Sequence, residues 1–286
     1  QQPAWLAEQG EALLLSVEEQ NKVAMRLSRS GQVQFFGLKD GVAMNAYQLA
    51  LPAGASIVSV VEDQPGSHRI ALGLSNGQVL VFKHVYKVTY PNNVKTITPQ
   101  LEYPFGEAPI TLDSQGRPLE HVAISENGDS LMLSGSVGAE LQLLNISREE
   151  NMMTGEVTKS ESRIDLPQMT EKVKALYIDP RQQWLYVING RAQADVFSLR
   201  DKSLNGRYKL LDDANAEVTA STQLVGGISL IFGDSKGGLS QWFMARDPDG
   251  ESRFKQIRTF QMGKAPIVQI DAEERRKGFI ALDSDG

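Results

Sequence analysis

The chain has 286 residues, 41% hydrophobic and 22% charged, the composition of an ordinary globular protein; this excludes a disordered tail, a collagen-like rod and a low-complexity linker. Lys and Arg number 29 against 35 Asp and Glu, so the net charge of −6 offers no bulk attraction for nucleic acid or an anionic membrane. There is no cysteine, which removes disulfides, thiolate catalysis, Cys-ligated zinc and iron–sulfur clusters together.

The N-terminal QQPAWLAEQGEALLL lacks the cationic start and small-residue cleavage site of a signal peptide. Beginning without Met and stopping at Asp285-Gly286, the chain reads as a soluble fragment cut from a longer protein. A repeat then begins: a short apolar strand, a polar turn, a second strand ending around a Gly, and an alternating third strand with an aromatic or Leu. Copies run from Ala12 to Phe36, Ser56 to Phe82, Glu120 to Leu144, Val173 to Phe197 and Val218 to Phe243, and a sixth, from Pro266, breaks off at Gly286. Between the first two, Gly41 to Val61 is the longest uncharged stretch, but Asn45, Gln48, Pro52 and Gly54 interrupt it, so it reads as strand, turn and strand and not as a membrane span.

Taking Gly31, Gly77, Gly138, Gly190, Gly238 and Gly286 as landmarks, the spacings are 46, 61, 52, 48 and 48, the period of a four-stranded propeller blade with loop insertions. Fourth strands are expected at Tyr47 to Leu51, Ser162 to Leu166, Arg207 to Leu211 and Lys255 to Met262, all alternating or β-rich. The long gap holds YKVTYPNNVKTITPQLEYPFGEAPITL, which reads as an extra protruding hairpin about Pro91-Asn92-Asn93. The expectation is therefore one all-β domain over residues 1–286: a WD40-like β-propeller of six or seven four-stranded blades, incomplete at the C-terminus. Two stacked β-sandwiches are the rival, but they do not call for one unit recurring along the chain.

The candidate chemical motifs all read as turns. Gly73 to Gly77 has the letters of a GxSxG nucleophile elbow around Ser75, but a strand follows where the elbow needs a helix. Gly233 to Ser240 has the Gly and Lys of a phosphate loop without its spacing, leaving Lys236 facing solvent. Asp247 to Gly250 and Asp283 to Gly286 open like calcium loops but lack the closing glutamate. Glu273 to Lys277 and Arg148 to Asn151 are charge runs expected in solvated turns, and the sequon at Asn145 falls at a strand end. His68, His84 and His121 are too far apart in sequence for HExxH or any other local metal pair, and only separate segments meeting in space could bring them together. Trp184, Trp242, Phe35, Phe36, Phe82, Phe197 and Phe243 recur at one place in the repeat and are expected to pack between blades. No catalytic, cofactor-binding or metal residue emerges, and no cofactor is implied; the residues alone describe a non-enzymatic scaffold.

Strings along the whole chain carry a narrower resemblance: QQPAWLA, LGLSNGQVLVF, KTITP, REENMMTGEVT, SRIDLPQ, YIDPRQQWLYVINGRA, VFSLRDKSLNGRYKLL, EVTASTQLVGGISL, GDSKGGLSQWFM and EERRKGF. It resembles the N-terminal extramembrane region of the long-form permease subunit of the proteobacterial phosphate-specific ABC transporter. The resemblance implies a periplasmic domain between a first membrane helix and the permease bundle, in a protein embedded in the inner membrane. Its implied partners are the transmembrane portion of the same permease, the periplasmic phosphate-binding protein and the other transporter subunits, with no nucleic acid. Translocation belongs to the absent bundle, so the resemblance transfers no residue role. The alternative is a propeller enzyme, such as a lactonase or a quinone-dependent dehydrogenase, with a metal or cofactor on the axis.

Overall fold

The computed structural model describes residues 12–127, 129–135, 141–155, 157–166 and 171–286. Two compact units form, Gln1–Val61 with His68–Leu119, and Glu62–Ser67 with Glu120–Gly286. In both, the recurring element is a sheet of four consecutive strands lying side by side in chain order.

In the first unit one sheet comprises β1 (Ala12–Glu18), β2 (Val23–Ser28), β3 (Gln32–Gly37) and β4 (Ala43–Gln48). The other comprises β5 (Ile57–Glu62), β6 (Arg69–Leu74), β7 (Gln78–Thr89) and β8 (Thr96–Glu102), with the two-residue β9 (Ile110–Thr111) pairing Gln78 and Val79 of β7. The second strands VAMRL and IALGL are buried on both faces, the pattern of a strand sandwiched between layers, with Arg26 the one charged residue among them. Met25, Leu27, Phe35, Ile70, Leu72 and Phe82 form the centre of this core. At its rim the Tyr47 hydroxyl and Asn45 Nδ2 both donate to the Pro99 carbonyl, at 2.8 and 3.1 Å, joining the fourth strands of the two sheets.

The run about Pro91-Asn92-Asn93 is a hairpin, but it is not an addition to the sheet. Its two arms are β7 and β8 themselves, lengthened and paired from Lys83↔Glu102 to Thr89↔Thr96 across a 3-10 turn at Pro91–Asn93. The long gap in the repeat thus contains the second sheet's own fourth strand and the returning β9.

The second unit holds three further four-stranded sheets and a two-stranded one among the described residues. These are β10 (His121–Asn127), β11 (Asp129–Gly135), β12 (Gln142–Glu150) and β13 (Val157–Asp165); β14 (Val173–Ile178), β15 (Trp184–Asn189), β16 (Gln193–Ser198) and β17 (Ser203–Lys209); β18 (Val218–Gln223), β19 (Ser229–Asp234), β20 (Gly238–Arg246) and β21 (Ser252–Gln261); and β22 (Ile267–Ala272) with β23 (Phe279–Asp283). The expected fourth strands are β4, β13, β17 and β21, each beginning three to five residues earlier than the β-rich runs suggested. The landmark Gly138 and the N-terminal QQPAWLA lie outside the described residues.

The turn that follows the second strand repeats a single device. A backbone N–H bonds the carbonyl three residues back while its own residue takes a left-handed φ: Gly31 to Ser28, Gly77 to Leu74, Ala192 to Asn189, Gly237 to Asp234 and Gly286 to Asp283. The landmark glycines Gly190 and Gly238 are therefore not the equivalent positions: Ala192 and Gly237 are. The first residue of the turn supplies the bracing. Asn189 Oδ1 accepts the Arg191 and Gln193 amides, and Asp234 Oδ1 those of Lys236 and Gly238. One residue on, Ser75, Gly190, Ser235 and Ser284 donate their amides to Ser56, Lys172, Glu217 and Pro266, tying each turn to the start of its own first strand.

The β14–β15 turn is organised by Asp179, whose carboxylate accepts the amides of Arg181, Gln183 and Trp184 at 3.2, 2.6 and 2.6 Å. Burial pushes this carboxyl's pKa up while the three amides and the nearby Arg181 pull against it. Asp179→Ala leaves part-buried amides without their acceptor and is expected to cost about 2 kcal/mol. Asp179→Asn, which keeps one acceptor oxygen, should cost less in the same thermal melt.

Sheet contacts in this unit are close. A Cβ on Gly233 of β19 would lie 2.6 Å from Ile267 Cγ2 of β22, so only glycine admits that approach. The Tyr177 and Ser221 hydroxyls share a 2.7 Å hydrogen bond between β14 and β18, and burial raises the phenol to about 12. β23 departs from the pattern. Counting back from the turn residue, Ile280 and Leu282 correspond to Met25 and Leu27, or to Tyr186 and Ile188, which are at most 3% exposed, yet they are 73% and 45% exposed. One face of this two-stranded sheet packs on β18 and β19 and the other has no cover among the described residues.

Candidate functional site

Most motifs singled out from the sequence resolve into hairpin chemistry. Ser75 sits between β6 and β7, where its hydroxyl accepts the Ser56 amide at 3.0 Å, a structural role and not that of a nucleophile. Lys236, in the β19–β20 turn, is not simply solvated: its ammonium pairs with Asp213, which holds that carboxyl below the usual range. Asp247 to Gly250 closes the β20–β21 hairpin, with Asp247 paired to Arg253 and Lys255, and Asp249 to Arg253. Those cations occupy the carboxylates a calcium ion would need. Glu273 to Lys277 forms the β22–β23 turn as expected, whereas Arg148 to Glu150 are the end of strand β12 and not a turn. Asn145 lies inside β12, paired with Leu131 and Ser162, instead of at its end.

The aromatic residues divide. Phe36, Phe82, Phe197 and Trp242 occupy one position of the repeat, each opposite the second strand's apolar residue: Ala24, Ile70, Leu185 and Leu230. They are buried, as is Phe35. Trp184 starts a second strand and Phe243 lies one residue beyond the shared position, so these two are not part of the series.

The structure brings together two histidines that the sequence keeps apart. His68, at a left-handed φ of 57°, stacks on His84 with ring centroids 4.5 Å apart and planes 21° from parallel. His84 is fully buried, its Nδ1 lies 2.9 Å from the Tyr86 hydroxyl and its Nε2 has no hydrogen-bond partner. Face-to-face rings do not aim two nitrogens at one ion, so this pair is not a metal site. Burial, with the neighbouring His68 and Lys83, lowers His84 to about 3 and keeps it neutral. Among the described residues no three of His, Asp and Glu come together as a metal-binding group.

One surface feature went unrecognised in the sequence. β12 and β13 form a hairpin of nine pairs, from Gln142↔Asp165 to Glu150↔Val157, longer than the six-residue third strands β3 and β16. At its tip Met152 and Met153 are 95% and 96% exposed. The tip is held in shape by Asn151, whose Oδ1 accepts the Met153 and Thr154 amides at 2.9 and 3.2 Å and whose carbonyl accepts those of Thr154 and Gly155. From Arg148 to Glu161 the sequence holds four acids against two bases. The available signal was two adjacent apolar residues between Asn and Thr-Gly, where a turn needs neither.

No protein-family model and no curated protein matches the chain. Among solved structures it is similar to the β-propeller domain of Cps50 (Swd1) from Myceliophteria thermophila, at 7% identity and a TM-score of 0.54, over 97% of this chain and 94% of that one. The fold is a β-propeller. Raptor from Chaetomium thermophilum is also similar, at 14% identity and a TM-score of 0.56 over 96% of this chain, which spans only 24% of the Raptor chain. The four-stranded sheets are thus blades, and the expected WD40-like propeller class is confirmed, with the sixth copy of the repeat present as β22 and β23 alone among the described residues.

Proposed function

We propose that this propeller is an accessory domain, docking or regulatory, of the permease subunit of a phosphate ABC importer, on the periplasmic side of the bacterial inner membrane. The observation that carries the reading is the run of permease-like strings along nearly the whole chain, from LGLSNGQVLVF to EERRKGF. The partners are proteins: the transmembrane portion of the same permease, the phosphate-binding protein and the other transporter subunits. Among the described residues no helix is long and apolar enough to cross a membrane, in keeping with an extramembrane part. The Met152–Met153 hairpin is the docking element, because a preformed apolar tip places adaptable thioethers on a partner at little cost in ordering.

A photo-crosslinking residue at Glu149, in cells making the full-length protein, should yield an adduct with the phosphate-binding protein that is lost when Met152 and Met153 are both replaced by Gln. An adduct that survives the double replacement removes the hairpin from this role. The domain itself should not bind phosphate tightly, since its turns direct backbone amides onto their own Asn and Asp side chains. Calorimetry should show no saturable heat with a dissociation constant below about 10 micromolar; such a heat would make the domain a direct phosphate sensor.

A further inference from the structure

We propose that Met152 and Met153 form an oxidant-sensitive modification site, at which sulfoxidation removes the apolar character of the hairpin tip without disturbing the fold. The regulatory half of this inference rests on the docking role proposed above; the chemical half does not.

Oxidation of a thioether needs contact between its sulfur and the oxidant, so exposure sets the order of reaction. Met152 and Met153 are 95% and 96% exposed, Met262 is 48% exposed, Met25 is fully buried, and Met44 and Met244 are partly buried. The pair is therefore the first methionine site an oxidant reaches among those described. Each sulfur takes one oxygen atom from its own hydrogen peroxide molecule; the sulfur loses two electrons to become a sulfoxide, and that peroxide is reduced to water.

Three features make this a site rather than incidental damage. The two methionines are consecutive residues, so two oxidations fall on one hairpin tip. The tip is fixed by Asn151 and not by the methionine side chains, whose near-complete exposure leaves the fold nothing to lose when they become polar. Between Arg148 and Glu156 the sequence has no other large apolar side chain, so the apolar character of the tip depends on the two thioethers. Sulfoxidation turns flexible apolar side chains into polar ones, and the change is reversible by methionine sulfoxide reductases.

The test exposes the 286-residue chain to limiting hydrogen peroxide, followed by trypsin and mass spectrometry. Cleavage after Arg148 and Lys159 releases Glu149–Lys159, which contains Met152 and Met153 and no other methionine. Its oxidation should run roughly tenfold ahead of the Met25 peptide and severalfold ahead of the Met262 peptide, with an unchanged melting temperature. Equal rates for Met262, or a melting temperature that falls as the pair is oxidised, overturn the modification site. Peroxide treatment of cells carrying the Glu149 crosslinker should then lower the adduct yield, as the Met152→Gln/Met153→Gln variant does. An adduct that persists at full oxidation of the pair overturns the regulatory half. Absence of any adduct before oxidation overturns the docking role and that half with it, while the oxidation order is read independently of any partner.

Discussion

Replacing Gly77 by alanine is expected to destabilise the protein by about 3 kcal/mol, the sum of a left-handed backbone and an overpacked contact. Gly77 has φ +79, and a Cβ there would lie 2.7 Å from the Asp113 carbonyl and 2.9 Å from Gly116 Cα. Neither neighbour is free to yield. The Gly77 carbonyl accepts the Leu112 and Asp113 amides at 3.0 and 2.9 Å, and the buried Asp113 is held by the Gln115 amide and the Arg117 guanidinium, both at 2.7 Å. Gly54 supplies the control: its φ of +77 is nearly the same, but nothing lies within 4 Å of its missing Cβ. Gly54→Ala should therefore cost only the backbone term, about 1 kcal/mol. Equal losses for the two variants in thermal melts would show that the packing of residues 112–116 on the turn contributes nothing.

Acid should destabilise the first unit through His84. Its folded pKa, about 3, lies below the ordinary 6.5, so between those values the unfolded chain takes up a proton that the folded chain refuses. The stability this group supports is complete above pH 6.5 and is lost as pH falls toward 3, at up to about 1.4 kcal/mol per pH unit. The groups facing it are the stacked His68 ring, the Tyr86 hydroxyl, Lys83 and the Phe35 ring, and none supplies a carboxylate to accept the new charge. His121, also lowered by burial, acts in the same direction. Asp179 and Asp195, raised by burial, act oppositely, since their folded forms hold protons to higher pH. His84→Phe separates these contributions. It should flatten the decline in melting temperature between pH 6.5 and 4 even if it lowers stability at pH 7 by removing the His84–Tyr86 hydrogen bond. A variant whose decline parallels the parent's would remove His84 as the cause.

Much of the architecture was present in local pattern, because a blade is a local structure. Strand, turn and strand follow one another in the chain, so the doubly buried second strands appear as runs such as IALGL and LYVIN, and the turns appear as Ser, Asn, Asp and Gly at fixed offsets. Errors arose where two residues serve equally well in sequence and only one does in space. Gly190 looks like the turn glycine, but the left-handed position is Ala192, since Asn189 sets the count of the turn through its two amide bonds.

Spatial neighbours decided the rest. His68 and His84 belong to different strand ends and meet only because β6 and β7 pair, Arg69 to Lys83, bringing the rings into a stack that no spacing rule describes. The insertion after Tyr86 became the blade's own fourth strand because β7 continues its ladder to Thr89 and needs a partner along that length. Exposure, too, belongs to the tertiary structure. Met25 and Met152 are the same residue type in strand-and-turn surroundings, yet one is covered by the sheets of the first unit and the other stands beyond the last paired residues of β12 and β13. Composition and period determine which residues form strands and turns; which apolar side chains stay in water depends on what packs over them, a relation between distant segments that periodicity does not encode.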